Sequence, residues 1–166
     1  MERIVYRQST VCLIILLITF ALSGCEEVKK TGGKKLFIRG RDLVRAGRYE
    51  EAIGPLTQFQ REHPRAELAS NAGLYLGKAY LALGRFDEAR IAWGNTMKDY
   101  PGSLEEHKCR YKLALLKYLE GDTEEALKLF KAMAEDPDGP LAAEALAFAS
   151  YIERRSDAKK AADPYR

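Results

Sequence analysis

The chain has 166 residues, of which 27 are Lys or Arg and 24 are Asp or Glu, and its net charge is +3. This near balance argues against nucleic acid as a partner, because nucleic-acid-binding domains carry a clear excess of cations. Its three cysteines are Cys12, Cys25 and Cys109, and no group of cysteines and histidines has the spacing of a metal site. We therefore expect no bound metal or cofactor, and a fold that is held together by packing.

The N-terminal segment has the composition of a secretory signal. Two arginines precede an apolar run at residues 11–22, and the tetrapeptide Leu22-Ser23-Gly24-Cys25 closes this run. The run is shorter than the roughly 20 residues that a membrane-spanning helix needs. An ordinary membrane anchor with a chance cysteine is the alternative.

The same segment resembles the signal of a bacterial lipoprotein, with this tetrapeptide as its lipobox. The resemblance implies that residues 1–24 are removed and that Cys25 is lipidated, which attaches the chain to a membrane. Glu26 follows the cysteine, where an aspartate retains enterobacterial lipoproteins in the inner membrane. By analogy, Glu26 indicates the periplasmic face of the outer membrane. The eight residues after Cys25 reach at most about 28 Å, so residues 25–33 are expected to form a short tether.

A six-residue motif occurs three times beyond the tether, at intervals of 37 residues. Its copies begin at Gly47, Gly84 and Gly121 and read GRYEEA, GRFDEA and GDTEEA. A fixed period of this size predicts stacked supersecondary units. In each unit the apolar pattern predicts one helix before the glycine and an amphipathic helix after it, and the glycine can adopt the left-handed conformation that ends a helix. Ser103 and Asp122 each precede a glutamate by three residues, a capping-box spacing that predicts helix starts near 104 and 123.

The motifs divide the expected folded part, residues 34–155, into three hairpins and a last helix. The hairpins are expected at about 34–64, 68–101 and 104–138. A helix at 140–155 is expected to cover the apolar end of the stack, because a stack of repeats exposes apolar surface at its ends. The polar residues 156–166 are expected to form a flexible tail.

The three units resemble tetratricopeptide repeats. That family has a small residue in the first helix, an alanine in the second helix, a bulky residue four positions later and a proline at the end of the unit. These positions are filled by Gly40, Ala52, Leu56 and Pro64, by Gly77, Ala89, Trp93 and Pro101, and by Ala114, Ala126 and Phe130. The resemblance implies an all-α fold, a right-handed α-solenoid of about three such helical hairpins plus a C-terminal capping helix. A helical bundle with accidental periodicity is the alternative.

The match departs from the family pattern in its period and in its third unit. The period of 37 exceeds the usual value of about 34, which predicts longer helices or a longer linker near residues 65–69. Thr123 stands where the other two units have an aromatic residue. Asp138, which follows Pro137, takes the position of the final proline.

No pattern in the sequence predicts catalysis, and we expect no enzyme activity. His63 and His107 lie 44 residues apart, and neither has a matched base or nucleophile in the sequence. Each repeat motif carries a pair of carboxylates, but these pairs open the second helices, where acidic side chains suit the positive end of the helix dipole. Cys109 is expected to be a small buried side chain rather than a reactive thiol.

The remaining candidate is a surface. In tetratricopeptide repeats the first helices line a concave groove that binds segments of other proteins. The resemblance places in this groove Lys34, Phe37, Arg41, Arg45, Asn71, Leu74, Lys78, Lys108, Tyr111, Leu115 and Tyr118. Cations combined with aromatic side chains favour a partner that has carboxylates and apolar side chains. Leu74, Leu115 and one or both tyrosines are alternatively core residues.

These features favour a non-enzymatic, lipid-anchored adaptor that docks an acidic or extended segment of another envelope protein. A lipobox followed by such repeats resembles three groups: the repeat lipoprotein of the β-barrel assembly machine, the pilotins of pilus secretins, and the coordinator of envelope constriction. Repeats of the last group tend to carry the pair seen here as Tyr100-Pro101. A periplasmic module that binds cell-wall fragments or another small ligand is the alternative. A deep pocket with convergent acidic groups would favour that module, and a shallow groove along the first helices would favour the adaptor.

Overall fold

The computed structural model describes residues 33–136 and 139–162, which form seven helices and no strand. The helices are α1 (33–45), α2 (Tyr49–Glu62), α3 (Ala69–Ala82), α4 (Phe86–Asp99), α5 (Leu104–Leu119), α6 (Thr123–Ala134) and α7 (Ala142–Ala162). From α2 onward each helix packs on the next, and α3 also packs on α5. This confirms the predicted α-solenoid of three hairpins, which is followed by a C-terminal helix. No helix in the described ranges is both long enough and apolar enough to cross a membrane.

Some of the sequence predictions lie outside the described residues. They are the signal segment, Cys25, most of the tether, the pair Pro137 and Asp138, and the last four residues of the expected tail.

Each hairpin turns at a glycine that has a positive φ. The φ angles of Gly47, Gly84 and Gly121 are 75°, 72° and 88°, a left-handed conformation that glycine adopts without strain. Each second helix begins two residues after its glycine, so the second helices keep the 37-residue period of the motif. The linker at 63–68 is longer than the linker at 100–103, in agreement with the long period.

Small residues of the first helices allow the second helices to approach closely. A Cβ atom at Gly77 would overlap the indole of Trp93, and a Cβ atom at Gly40 would overlap the side chain of Leu56. Trp93 is fully buried, and its indole N–H donates to the carbonyl of Leu74 at 3.3 Å. The large residue of the second helix therefore packs on the small residue of the first helix, in the register that the motif predicts.

Side-chain hydrogen bonds hold the linkers between the hairpins. The hydroxyl of Tyr100 donates to the carbonyl of Pro64 at 2.9 Å, which joins the second linker to the first. The hydroxyl of Ser103 accepts the backbone N–H of Glu106 at 3.0 Å, so α5 begins at the predicted cap. In a capping box the carboxylate of Glu106 would accept the backbone N–H of the N-cap residue, Ser103. Here it instead accepts the N–H of Gly102, one residue earlier, at 3.1 Å.

Helix α7 begins later and ends later than the sequence predicted. The prediction placed a helix at 140–155 and a flexible tail at 156–166, whereas the helix runs from Ala142 to Ala162. It begins after Leu141, whose positive φ of 68° is incompatible with a helix. It continues because its exposed end consists mostly of alanine and lysine, which favour helix without help from packing.

Helix α7 occupies the place of the first helix in a fourth hairpin. Ala145 and Ile152 are buried against α6. They lie 36 residues after Cys109 and Leu116 of α5, which are buried in the cluster that contains Trp93 of α4. The described part of the stack therefore ends in half a hairpin.

Candidate functional site

One side of the first helices carries a row of equivalent side chains. Arg41, Lys78 and Leu115 each follow the small residue that packs on the second helix, and Tyr151 holds the same place in α7, 36 residues after Leu115. Because first helices of successive repeats lie side by side, the row crosses the stack from α1 to α7. We call the surface along this row the groove.

Four cations of α1, α3 and α5 lie close enough to influence one another. We call Arg45, Lys78, Lys108 and Lys112 the cation cluster. Burial lowers the pKa of Lys78, and the charges of Lys108 and Arg45 lower it further. Burial also lowers the pKa of Lys112, with a second contribution from the charge of Lys78. These mutual effects mean that like charges lie near one another at partly buried positions.

The cation cluster has an excess of positive charge. The ammonium of Lys108 lies 3.4 Å from the carboxylate of Glu105. Among the described residues, no carboxylate lies within 4.0 Å of the other three members. The ammonium of Lys78 instead lies 5.1 Å from the centre of the Tyr75 ring. The geometry and the charge of the cluster therefore suit an anionic ligand.

Apolar side chains of α5 and α7 form the other end of the groove. The ring of Tyr118 packs edge-on against Phe148, with 5.4 Å between ring centres, and lies 6.4 Å from Tyr151. The guanidinium of Arg155 donates to the hydroxyl of Tyr151 at 3.0 Å. Tyr151 is 40% exposed. We call Leu115, Tyr118, Phe148 and Tyr151 the apolar end.

Five of the predicted groove residues lie in one of these two groups. Arg45, Lys78 and Lys108 belong to the cation cluster, and Leu115 and Tyr118 belong to the apolar end. The structure thus separates the predicted cations from the predicted apolar residues along the stack, which the sequence did not indicate.

The assignment of Phe37 and Leu74 to the groove is wrong, because each side chain is only 4% exposed and lies in the core. The ring of Phe37 packs at 5.6 Å from the ring of Phe59 of α2. Leu74 belongs to the buried cluster that contains Trp93. A first helix in the stack contacts its own second helix and a neighbouring hairpin, as Phe37 does with Phe59 of α2 and Tyr75 of α3. The side left for the groove is therefore narrower than the sequence pattern suggested.

The other four predicted residues belong to neither the cation cluster nor the apolar end. Tyr111 packs edge-on against Phe130 at 5.2 Å, and burial raises its pKa. Arg41 lies in the row but 2.9 Å from Asp42. Lys34 lies in the first turns of α1, at the opposite end of that helix from the cation cluster. Asn71 lies partly buried in the first turn of α3.

Sequence reasoning missed four residues of this surface: Tyr75, Lys112, Phe148 and Tyr151. Tyr75 and Lys112 lie 37 residues apart, so the repeat period could have identified them as equivalent positions. Phe148 and Tyr151 of α7 were harder to identify from the sequence, because their spacing from α5 is 36 residues rather than 37 and α7 has no copy of the motif.

Other chemically reactive groups do not converge within the described ranges. No group of three or more His, Cys, Asp or Glu side chains there is placed to hold a metal ion. A depression of about 660 Å³ around α2 contains one carboxylate among its described lining residues, that of Glu51, which pairs with Arg48. His63 packs on Phe59, with 5.4 Å between ring centres. Burial raises the pKa of Cys109 to about 12, so its thiol is protonated at neutral pH.

Comparison with known families agrees with this architecture. Two family models, each described as a tetratricopeptide repeat, match residues 39–103 and 108–138. No curated protein matches the chain. The chain is therefore a protein that contains tetratricopeptide repeats. Repeats of this type generally mediate protein–protein interactions and are typically non-catalytic, which supports a scaffold role that involves protein partners.

Proposed function

We propose that this chain is a non-enzymatic, lipid-anchored adaptor of the bacterial cell envelope, which holds an acidic segment of a partner protein in the groove. The observation that carries the docking part is the cation cluster, in which Lys78 and Lys112 are partly buried and close to like charges. A partner carboxylate would relieve this repulsion, and the surrounding side chains would shield the new ion pairs from water. The cluster would also attract an acidic segment from a distance and speed its docking.

Charge reversal tests the docking part. The variant Lys78→Glu with Lys112→Glu should lose its partner when envelopes are cross-linked and the protein is recovered, because the docking charge changes sign. The matched control is Arg61→Glu with Lys128→Glu, which reverses two cations of the second helices whose side chains are each 75% exposed. The control variant should keep the helical circular dichroism spectrum, since exposed charges contribute little to stability. The groove variant should keep it as well, because among the described residues neither Lys78 nor Lys112 has a carboxylate within 4.0 Å whose ion pair would be lost. Equal recovery from the groove variant, the control variant and the wild type would place the docking surface elsewhere.

Salt gives a second readout of the same interaction. Charges at a surface are screened over about 8 Å at physiological ionic strength. Partner recovery should therefore fall as salt is added before cross-linking. Recovery that is independent of salt would argue against a docking mode that depends on the cation cluster.

The lipid anchor is supported by the tetrapeptide Leu22-Ser23-Gly24-Cys25 at the end of the signal-like segment. Replacement of Cys25 by alanine should stop the incorporation of labelled palmitate, because the thiol that carries the lipid is removed. Cys12→Ala is the matched control, since Cys12 lies inside the apolar run. Palmitate labelling that survives in Cys25→Ala would contradict the proposal.

We also propose that the anchor lies in the outer membrane and that the repeats face the periplasm. The supporting observation is Glu26, which occupies the position where an aspartate retains enterobacterial lipoproteins in the inner membrane. Membrane fractionation should recover the protein with the outer membrane. An inner-membrane pool alone would contradict this part.

A further inference from the structure

We propose that α7 is a binding element of the groove as well as a cap, and that the docked segment carries an apolar side chain next to its carboxylates. This inference rests on the proposed function, because it divides the same groove into two chemically different halves. The cation cluster would take the carboxylates, and the apolar end would take the apolar side chain.

The register of α7 is the first support. The row of equivalent positions reads Arg41, Lys78, Leu115 and Tyr151, so it changes from two cations to two apolar residues along the stack. A helix that only covered the end of the stack would need no large side chain at the last of these positions. Tyr151 nevertheless stands there and is 40% exposed.

The fixed geometry of the apolar end is the second support. The ring of Tyr151 packs against the rings of both Tyr118 and Phe148, at 6.4 and 5.6 Å between ring centres. Its hydroxyl accepts a hydrogen bond from Arg155 at 3.0 Å, which limits rotation of the ring. Large aromatic side chains that are held before binding lose little conformational freedom when a ligand arrives, and tyrosine is enriched among residues that dominate binding energy.

Continuity with the cation cluster identifies the occupant as a segment of a partner protein. Helix α5 contributes Lys108 and Lys112 to one half and Leu115 and Tyr118 to the other, so one ligand can touch both halves along this helix. Neighbouring packed helices lie about 10 Å apart, a distance that about three extended residues cover. The expected segment therefore has acidic residues separated by about three residues from an aromatic or large aliphatic side chain.

Fluorescence anisotropy with labelled synthetic peptides tests this inference on the full chain in a non-ionic detergent. The acidic probe has four glutamates, a Gly-Ser-Gly spacer and two serines. The two bipartite probes have leucine and tryptophan in place of the serines, one before and one after the acidic part. In one of the two orders, the bipartite probe should bind the wild type about tenfold more tightly than the acidic probe, the gain typical of one well-buried aromatic contact.

Variants of α7 then test whether the tighter binding of the bipartite probe depends on Tyr151. Tyr151→Ala should remove the advantage of the bipartite probe and leave the affinity for the acidic probe unchanged. Tyr151→Gln, which keeps a polar side chain but loses the ring, should also lose the advantage of the bipartite probe and keep the affinity for the acidic probe. This second variant is included in case Tyr151→Ala disturbs the local structure of α7. Leu146→Ala is the matched control, because Leu146 is 58% exposed on the same helix but lies outside the row. This control should retain the full advantage.

The outcomes separate this inference from the proposed function. An acidic probe that binds neither the wild type nor Tyr151→Ala would overturn the proposed docking of acidic segments. Binding of the acidic probe without any gain for either bipartite probe would overturn only the role of α7. Tighter binding of a bipartite probe that persists in both Tyr151 variants would also overturn the role of α7. A wild-type mass of two copies by sedimentation, reduced to one copy in Tyr151→Ala, would instead make this end a contact between copies and overturn the inference.

Discussion

At the scale of single residues, Trp93 depends on the glycine against which it packs. Its side chain is completely buried, and a Cβ atom at Gly77 would occupy the space that the indole fills. The indole N–H is satisfied by the carbonyl of Leu74, so the burial leaves no polar atom without a partner. The motif predicted this pair, because a small residue and a bulky residue recur at fixed positions in every unit.

Trp93→Ala should lower the free energy of unfolding by about 3 to 5 kcal/mol, because it leaves a cavity between two hairpins. Thermal and urea unfolding of the full chain would measure the loss. Ile91→Ala, on the same helix but 62% exposed, should change the free energy by no more than about 0.5 kcal/mol. Similar losses for the two variants would mean that the helix register is wrong.

Cys109 gives a residue-scale prediction that depends on pH. Its pKa is raised to about 12 by burial, above the value of about 8.5 for an exposed thiol. The folded state therefore keeps the proton where the unfolded state releases it, so this stabilisation is complete below about pH 8.5 and decreases as pH rises toward 12. In a background with Cys12→Ser and Cys25→Ser, Cys109 should react with a disulfide reagent at pH 8 only after denaturation. Rapid labelling of the native protein would contradict this burial.

At the scale of helices, the first six were easier to predict than the last. Glycine turns and the cap at Ser103 mark where those helices end and begin, and the structure places α5 and α6 at the expected starts, Leu104 and Thr123. Helix α7 has no such signals at its end. Its polar composition resembled a tail, yet alanine and lysine favour helix, so composition alone could not fix its end at Ala162.

Two changes in α7 should separate its packed part from its exposed part. Ile152→Ala should cost about 2 to 4 kcal/mol, because Ile152 is fully buried against α6. A chain that stops after Arg155 should keep the wild-type unfolding midpoint, because nearly all of the described side chains beyond it are exposed. A large loss on truncation would mean that the end of α7 packs on another part of the chain.

At the scale of the whole molecule, the sequence predicted the stack but only part of the groove. Period and small residues determine which helices pack together, and these features are visible in the sequence. Exposure within a first helix depends on how neighbouring hairpins cover it, so Phe37 and Leu74 were assigned to the groove although they lie in the core. The same dependence on a neighbouring helix made Tyr151 hard to identify, because its place in the apolar end follows from its contact with Tyr118 of α5.

Site-specific photo-cross-linking in living cells tests whether an acidic partner segment docks along the first helices. A photoreactive amino acid would replace Leu115 in the groove or, as the control, the exposed Ile91 of the second helix α4. The peptides attached at each position would be identified by mass spectrometry. We expect cross-links from position 115 to one partner segment rich in Asp and Glu, and their loss when Lys78 and Lys112 are changed to glutamate. Cross-links to a partner from position 91, with none from position 115, would contradict this docking.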